Sequence, residues 1–243
     1  MKRFVDRLLD YPVLLGAVRF SILALAASLQ FQESRAEVSG RAPVRNGQRT
    51  FARPVLTWTE IKYQNVVMQE KDYSCGAASL ATVLRYYWGK DVTEVDVLAV
   101  VDRSLKPEAL KDRIEYGLTM ADLKVVADRM GYDAAVGKLP NVTKLSESKI
   151  PLIVAIRVDE DLKHFVVYRG SACGFVYLAD PFAGNIRMSQ CQFARIWLEN
   201  AVFVVTLPGK TSSAVSRLTL RPEEIQQARL NNQVIRRELS TIR

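Results

Sequence analysis

Tyr73-Ser-Cys-Gly-Ala-Ala-Ser79 opens a helical run that stops at Trp88-Gly89 and sets a thiol on its first turn. Small residues come first. Leu80, Ala81, Leu84 and Tyr87 then recur at helical spacing, and Gly89 ends the run. The first turn of a helix is the positive end of its macrodipole and carries unpaired N–H groups. Both favour thiolate, the reactive form of cysteine. The plain alternative for Cys75 is a small buried core cysteine. The polar residues beside it and Gly76 describe instead an exposed turn, where Gly76 would let a substrate backbone come close.

Downstream the helical pattern continues. Thr93 starts a second helix with Val95, Leu98 and Val101 as its core stripe, and residues 107–116 form a third. Gly117 turns the chain, Thr119 caps a fourth helix running to Met130, and Gly131 ends it. Upstream, 61–68 read as a short strand or an extended approach. After Ile150 the period changes. Strands are expected over 150–156, 164–168, 175–179 and 201–207, with a short helix over 193–197. Helices followed by antiparallel strands predict an α+β fold rather than a doubly wound sheet.

His164 starts one of these strands and Asp180 ends the next. If the two form a hairpin, the start of one lies beside the end of the other, and the residues become neighbours. A carboxylate there would fix the tautomer of an imidazole serving the thiol of Cys75. Taken alone, His164 reads as a surface residue and Asp180 as an Asp-Pro turn. His164 is the one histidine of the chain, so imidazole chemistry must use it and a His-rich metal site is excluded. Gln69, six residues before Cys75, is placed to donate its amide to an oxyanion alongside the Cys75 N–H. No two of the three cysteines have CxxC spacing, so zinc is not expected, and the reading calls for no cofactor. Neither Cys173 nor Cys191 is expected to be catalytic, and a disulfide between them is open in an oxidising compartment.

The chain has 243 residues and a formal charge of +8. Residues 61–209 carry as many acidic as basic side chains, and the excess sits in the flanks. A nucleic-acid-binding core would place its basic stripe on the fold itself. Residues 1–36 read as an export signal or N-terminal anchor: Lys2, Arg3 and Arg7 precede the apolar stretch 20–29, and Ser34-Arg-Ala36 offers a cleavage site. A buried N-terminal helix is the alternative. Residues 37–60 read as a linker, 61–209 as the domain, and 210–243 as a polar extension with a helix over 222–239. Its sparse apolar stripe, Ile225, Leu230, Val234 and Leu239, is expected to dock on a partner or on the domain surface without joining the core.

Gln69, Asp72-Tyr-Ser-Cys75-Gly-Ala-Ala, His164-Phe-Val-Val and Leu178-Ala-Asp180-Pro together resemble the bacteriocin-processing peptidases. These are papain-like domains that cleave leader peptides after a double glycine. Order and spacing match, as do Gly117-Leu-Thr, Gly131-Tyr and Pro151-Leu-Ile-Val, so the likeness spans about 64–207. It implies a papain-like fold with Cys75 as nucleophile, His164 as general base, Asp180 as orienter and Gln69 as oxyanion donor. Many members are fused to a membrane transporter. The export-like N-terminus and polar extension are closer to stand-alone exported members, the peptidase-like accessory proteins of functional-amyloid secretion. That implies a periplasmic or exported location, with an exported protein or peptide, amyloid subunits or their secretion machinery as partners, and membrane contact through the N-terminal segment. Two other readings use the same residues: a peptide-binding module without catalysis, and an amidase or acyltransferase on the papain fold.

Overall fold

The structure, a computed structural model, describes residues 40–46, 49–159, 162–210, 212–213 and 216–225. The segment read as an export signal, 1–36, and the expected helix beyond 225 lie outside the described residues. Among the described residues no helix is long and apolar enough to cross a membrane.

The chain divides into two units at Thr57. In the first, β1 (Gly40–Asn46) pairs antiparallel with β2 (Arg49–Val55), from Gly40↔Val55 to Asn46↔Arg49. A linker was expected there. The sequence Asn46-Gly47, where the first seven-residue run ends, is a hairpin signal that a count of polar residues passes over. Pro43 and Pro54 are tolerated because each strand of a two-stranded ribbon is an edge.

The second unit starts with α1 (Trp58–Tyr63), in place of the extended approach expected around 61–68. This helix buries none of its residues. It is held from outside: the Asn185 side chain donates to the Ile61 and Gln64 carbonyls at 3.3 and 2.7 Å. A local pattern cannot supply so distant a cap. The expected helices follow as α2 (Cys75–Tyr86), α3 (Glu94–Ser104), α4 (Pro107–Tyr116) and α5 (Met120–Arg129). Thr93 and Thr119 each close a capping box, with Asp96 and Asp122. The stripe of α3 differs from the one expected. Val97 and Val101 are buried, Leu98 packs against them in part, and Val95 is 59% exposed.

The sheet comprises β3 (Asp133–Lys138), β4 (Leu152–Arg157), β5 (Lys163–Ala172), β6 (Phe175–Asp180), β7 (Gly184–Ser189) and β8 (Trp197–Thr206). Its order is β3-β8-β4-β5-β6-β7, antiparallel throughout. The short helices α6 (Val142–Ser146) and α7 (Gln190–Ile196) complete the unit. The fold is thus α+β, with helices packed on an antiparallel sheet. The two strands absent from the sequence reading, β3 and β7, are the two edges. An edge strand needs little apolar alternation, and β3 is mostly exposed. Trp197 begins β8 rather than ending the preceding helix.

Both sheet faces are covered, which explains the unbroken apolar run of β4. Ile153, Val167, Ala179 and Phe203 join the core under α2, α3 and α5. Val154, Val166, Leu178 and Val202 face the other way, closed by Leu145 of α6 and Phe193 of α7. The extension is fastened ahead of its expected apolar stripe, most of which lies outside the described residues. Leu218 is 1% exposed and belongs to the helix-side core. The Arg217 N–H donates to the Tyr86 carbonyl at 2.8 Å, and Glu224 pairs with Arg169 of β5 at 2.9 Å. Leu218 and Leu220 in a polar run carry no helical period, so the sequence pattern does not reveal this strap.

Candidate active site

Cys75 is the first residue of α2, as expected, but the turn is enclosed. Cys75 is 7% exposed and Ser74 is fully buried. The Ser74 hydroxyl does not cap α2. It donates to the Lys71 carbonyl at 2.7 Å and accepts from the Lys71 N–H at 3.2 Å. While α3, α5 and α7 begin with full capping boxes, α2 leaves its first N–H groups without a side-chain partner, next to the sulfur. Gly76 does not open the site to a substrate backbone. A Cβ there would stand 3.3 Å from Phe165 and 3.4 Å from Leu123, so the glycine lets α2 press against β5.

That closeness delivers the thiol to the sheet. One turn along α2, the buried Ser79 hydroxyl donates to the Phe165 carbonyl at 3.1 Å. Phe165 follows His164, so this bond sets the register of Cys75 against the histidine. His164 Nε2 lies 2.8 Å from Asp180 Oδ1, with the two side chains 12% and 9% exposed. The hairpin expected from sequence is real: β5 and β6 pair from Val167↔Ala179 to Ala172↔Phe175. With Nε2 turned to Asp180, the other ring nitrogen is left for Cys75, which lines the same cleft and acts on the ring's protonation. Burial opposes a charged ring. The Asp180 and Cys75 hydrogen bonds and their charges outweigh it and push the His164 pKa up to about 9.

Asp180 Oδ1 also accepts from the Phe182 and Ala183 N–H groups at 2.8 and 3.1 Å. Burial alone would raise this carboxyl. His164 and the two N–H groups hold it below the usual carboxylate range. The Asp-Pro turn and the histidine partner are therefore the same residue doing both jobs.

Gln69 is fastened beside that turn. Its N–H donates to the Pro181 carbonyl at 2.9 Å, and its amide donates to the Lys71 carbonyl at 3.0 Å. An amide nitrogen has two protons, so one remains. The segment leading to it is pinned by α2 and α3. Val67 N–H donates to Thr82 Oγ1 at 2.9 Å, and Glu70 N–H to both oxygens of buried Glu94 at 3.2 and 3.0 Å. Sequence reasoning missed Ser79, Thr82 and Glu94. The available signal was two hydroxyls, Ser79 and Thr82, inside an otherwise apolar helix, where a buried polar group must find a partner.

Cys75 and His164 open onto a cleft of about 700 Å³. Leu118, Met120, Phe165 and Trp197 supply apolar lining, and Arg157, Lys163 and Arg195 supply charge. Cys173 and Cys191 are both exposed and stand apart from this lining. Among the described residues no cluster of histidine, cysteine and carboxylate side chains could hold a metal ion. A buried thiol at an uncapped helix start, beside an imidazole held by a carboxylate, can be deprotonated and attack an acyl carbon.

A model of the Peptidase C39 family matches residues 63–208. The probable functional amyloid protease FapD of Pseudomonas fluorescens is 35% identical over 160 residues, spanning 65% of this chain and 68% of that protein. FapD of Pseudomonas aeruginosa is 32% identical over 163 residues, spanning 67% and 70%. Among solved structures, a double glycine motif protease from an AMS/PCAT transporter, in complex with the leader peptide, shares 25% identity. It covers 58% of this chain and 90% of its own, with a TM-score of 0.47.

Proposed function

The chain belongs to the peptidase C39 family of papain-like cysteine peptidases, and from that premise we propose that Cys75, His164, Asp180 and Gln69 are its working residues. Its substrate is an exported protein or leader peptide. What supports the assignment is the 2.8 Å His164–Asp180 pair, with Cys75 at the start of α2 on the same cleft.

In this reading His164 takes the thiol proton, giving a thiolate–imidazolium pair. The sulfur attacks the scissile carbonyl carbon and a C–S bond forms. The carbonyl oxygen becomes an oxyanion facing the Cys75 N–H and the free amide proton of Gln69. The C–N bond then breaks, and the imidazolium protonates the leaving amine. His164 next deprotonates a water, which cleaves the thioester and frees the thiol. Asp180 holds the ring throughout and stays ionised.

FapD relatives are named for functional amyloid. We extend the proposal to processing of a protein exported with an amyloid-forming system, on the periplasmic side of the cell. The test has two parts. A thiol-reactive probe should label Cys75 and fail on Cys75→Ala, and a co-expressed exported substrate should be cleaved by the wild type alone. Labelling without any cleavage would leave a peptide-binding module.

A further inference from the structure

The end of the sheet that carries His164 is a charged row. Lys163 begins β5 and Arg157 ends β4, and the two are cross-strand partners. Next come Glu199 of β8 and Lys138 of β3, paired with each other. Arg195 of α7 adds another cation to the same cleft wall. Arg113 also lines the cleft but is neutralised by Asp122 at 2.6 Å. Among the described lining residues Glu199 is the one carboxylate, and Lys138 and Lys163 both act on it. Asp159, in the acidic loop joining Arg157 to Lys163, is not part of the lining. Arg157, Lys163 and Arg195 are exposed and form none of the ion pairs of the described residues.

Like charges directly opposite on paired strands weaken a hairpin. Arg157 facing Lys163 sets two like charges side by side on the cleft wall, which an anionic guest would offset. We propose that the cleft selects peptides bearing acidic side chains near the scissile bond, held by Arg157, Lys163 and Arg195. This rests on the peptidase reading of the same site. Neighbouring strands stand about 4.8 Å apart, so the row from β5 to β3 spans about 14 Å, or roughly four residues of extended chain. The acidic positions therefore fall within about four residues of the bond that Cys75 attacks. Glu199 interrupts the row, which suits a peptide with one or two carboxylates rather than a continuous polyanion.

The test uses a synthetic peptide library with a central Gly-Gly pair and randomised flanks, digested by the full chain and read by mass spectrometry. Cleaved peptides should be enriched in Asp and Glu within those four residues. For a pair differing only in Glu or Gln, kcat/KM should favour Glu about tenfold at low salt, mostly through KM, and the preference should shrink as salt screens it. The charge-reversed variant Arg157→Glu/Arg195→Glu should switch the preference to Lys. Should that variant misfold, Arg157→Gln/Lys163→Gln/Arg195→Gln should abolish the preference. Cleavage with no acidic enrichment, or enrichment that survives the neutral variant, overturns the proposal while leaving the peptidase reading intact. If no peptide is cleaved, the binding of fluorescein-labelled Glu and Gln peptides to Cys75→Ala decides it: tighter Glu binding supports it, and equal affinity overturns it. Absence of cleavage together with an unreactive Cys75 counts against the peptidase reading itself.

Discussion

Strand β5 carries two buried cation–carboxylate pairs, and they serve opposite purposes. Near its start, His164 meets Asp180 through a single bond of 2.8 Å. Near its end, Arg169 grips Glu224 with two bonds of 2.9 and 3.1 Å and adds the Leu218 carbonyl and Asn185 Oδ1. Arg169 is 4% exposed on its side chain, and a guanidinium has five N–H donors and no proton to give up. It can fasten but cannot exchange a proton. His164 can, and its remaining nitrogen faces a thiol. Burial and ion pairing alone therefore do not mark a reactive site. A titratable member with a nucleophile on its open side does.

The contrast is broken most severely at the reactive pair. Cys75→Ala and His164→Ala should each lower kcat/KM by at least about a thousandfold. Cys75→Ala should change stability by less than about 1 kcal/mol, because only a sulfur is lost. Peptide cleavage and urea denaturation measured on the same preparations check both. If His164→Ala kept wild-type cleavage while Cys75→Ala abolished it, the imidazole-base mechanism would be wrong.

The other pair should show the reverse. Glu224→Ala strands the buried Arg169 charge and should cost about 3 kcal/mol of stability, at the low end for broken buried pairs because Glu224 is 15% exposed. The activity of the folded fraction should not change. Truncation after Leu207 removes Leu218 and Glu224 together and should be worse still, although the sequence pattern alone predicts a dispensable tail. An unchanged denaturation midpoint for Glu224→Ala would mean that Leu218 packing alone fastens the strap.

These two regions also mark where sequence is readable. The helix from Cys75, the capping boxes at Thr93 and Thr119, and the β5–β6 hairpin all follow from local periodicity and punctuation. So does the meeting of His164 with Asp180, because a hairpin converts sequence spacing into neighbourhood. The strap, the edge strands β3 and β7, and the Asn185 cap on α1 rest on single long-range contacts that leave no period. Gly76 shows the limit within a legible motif. Its residue type was informative, but only packing shows that it faces Phe165 rather than a substrate.

Gln69 sharpens the comparison from the side of the transition state. Gln69→Ala should lower kcat about a hundredfold with little change in KM, since an oxyanion donor acts only after attack. Stability should barely move, because the segment is held mainly through backbone bonds to Pro181, Thr82 and Glu94. A rise in KM with unchanged kcat would reassign the amide to substrate binding.

The smallest effect should come from Asp180→Asn, and it tests what separates the two pairs. Asparagine keeps an Oδ1 that can accept from Phe182, Ala183 and His164, so the turn and the ring orientation survive. What disappears is the negative charge that helps hold the proton on His164. The ring's folded pKa, about 9, lies above its ordinary 6.5. Stability from the charged ring is therefore fully present below about 6.5 and is lost as pH rises through about 9. Activity that depends on the thiolate–imidazolium pair should fall over that same alkaline limb. In Asp180→Asn the limb should move down from about 9 toward 6.5, with kcat/KM at neutral pH reduced about tenfold. The pH dependence of kcat/KM, followed beside the rate of Cys75 alkylation, measures the shift. A limb that stays near 9 would show that the thiolate alone holds the proton, leaving Asp180 an orienting role no more electrostatic than that of Asn185 toward Arg169.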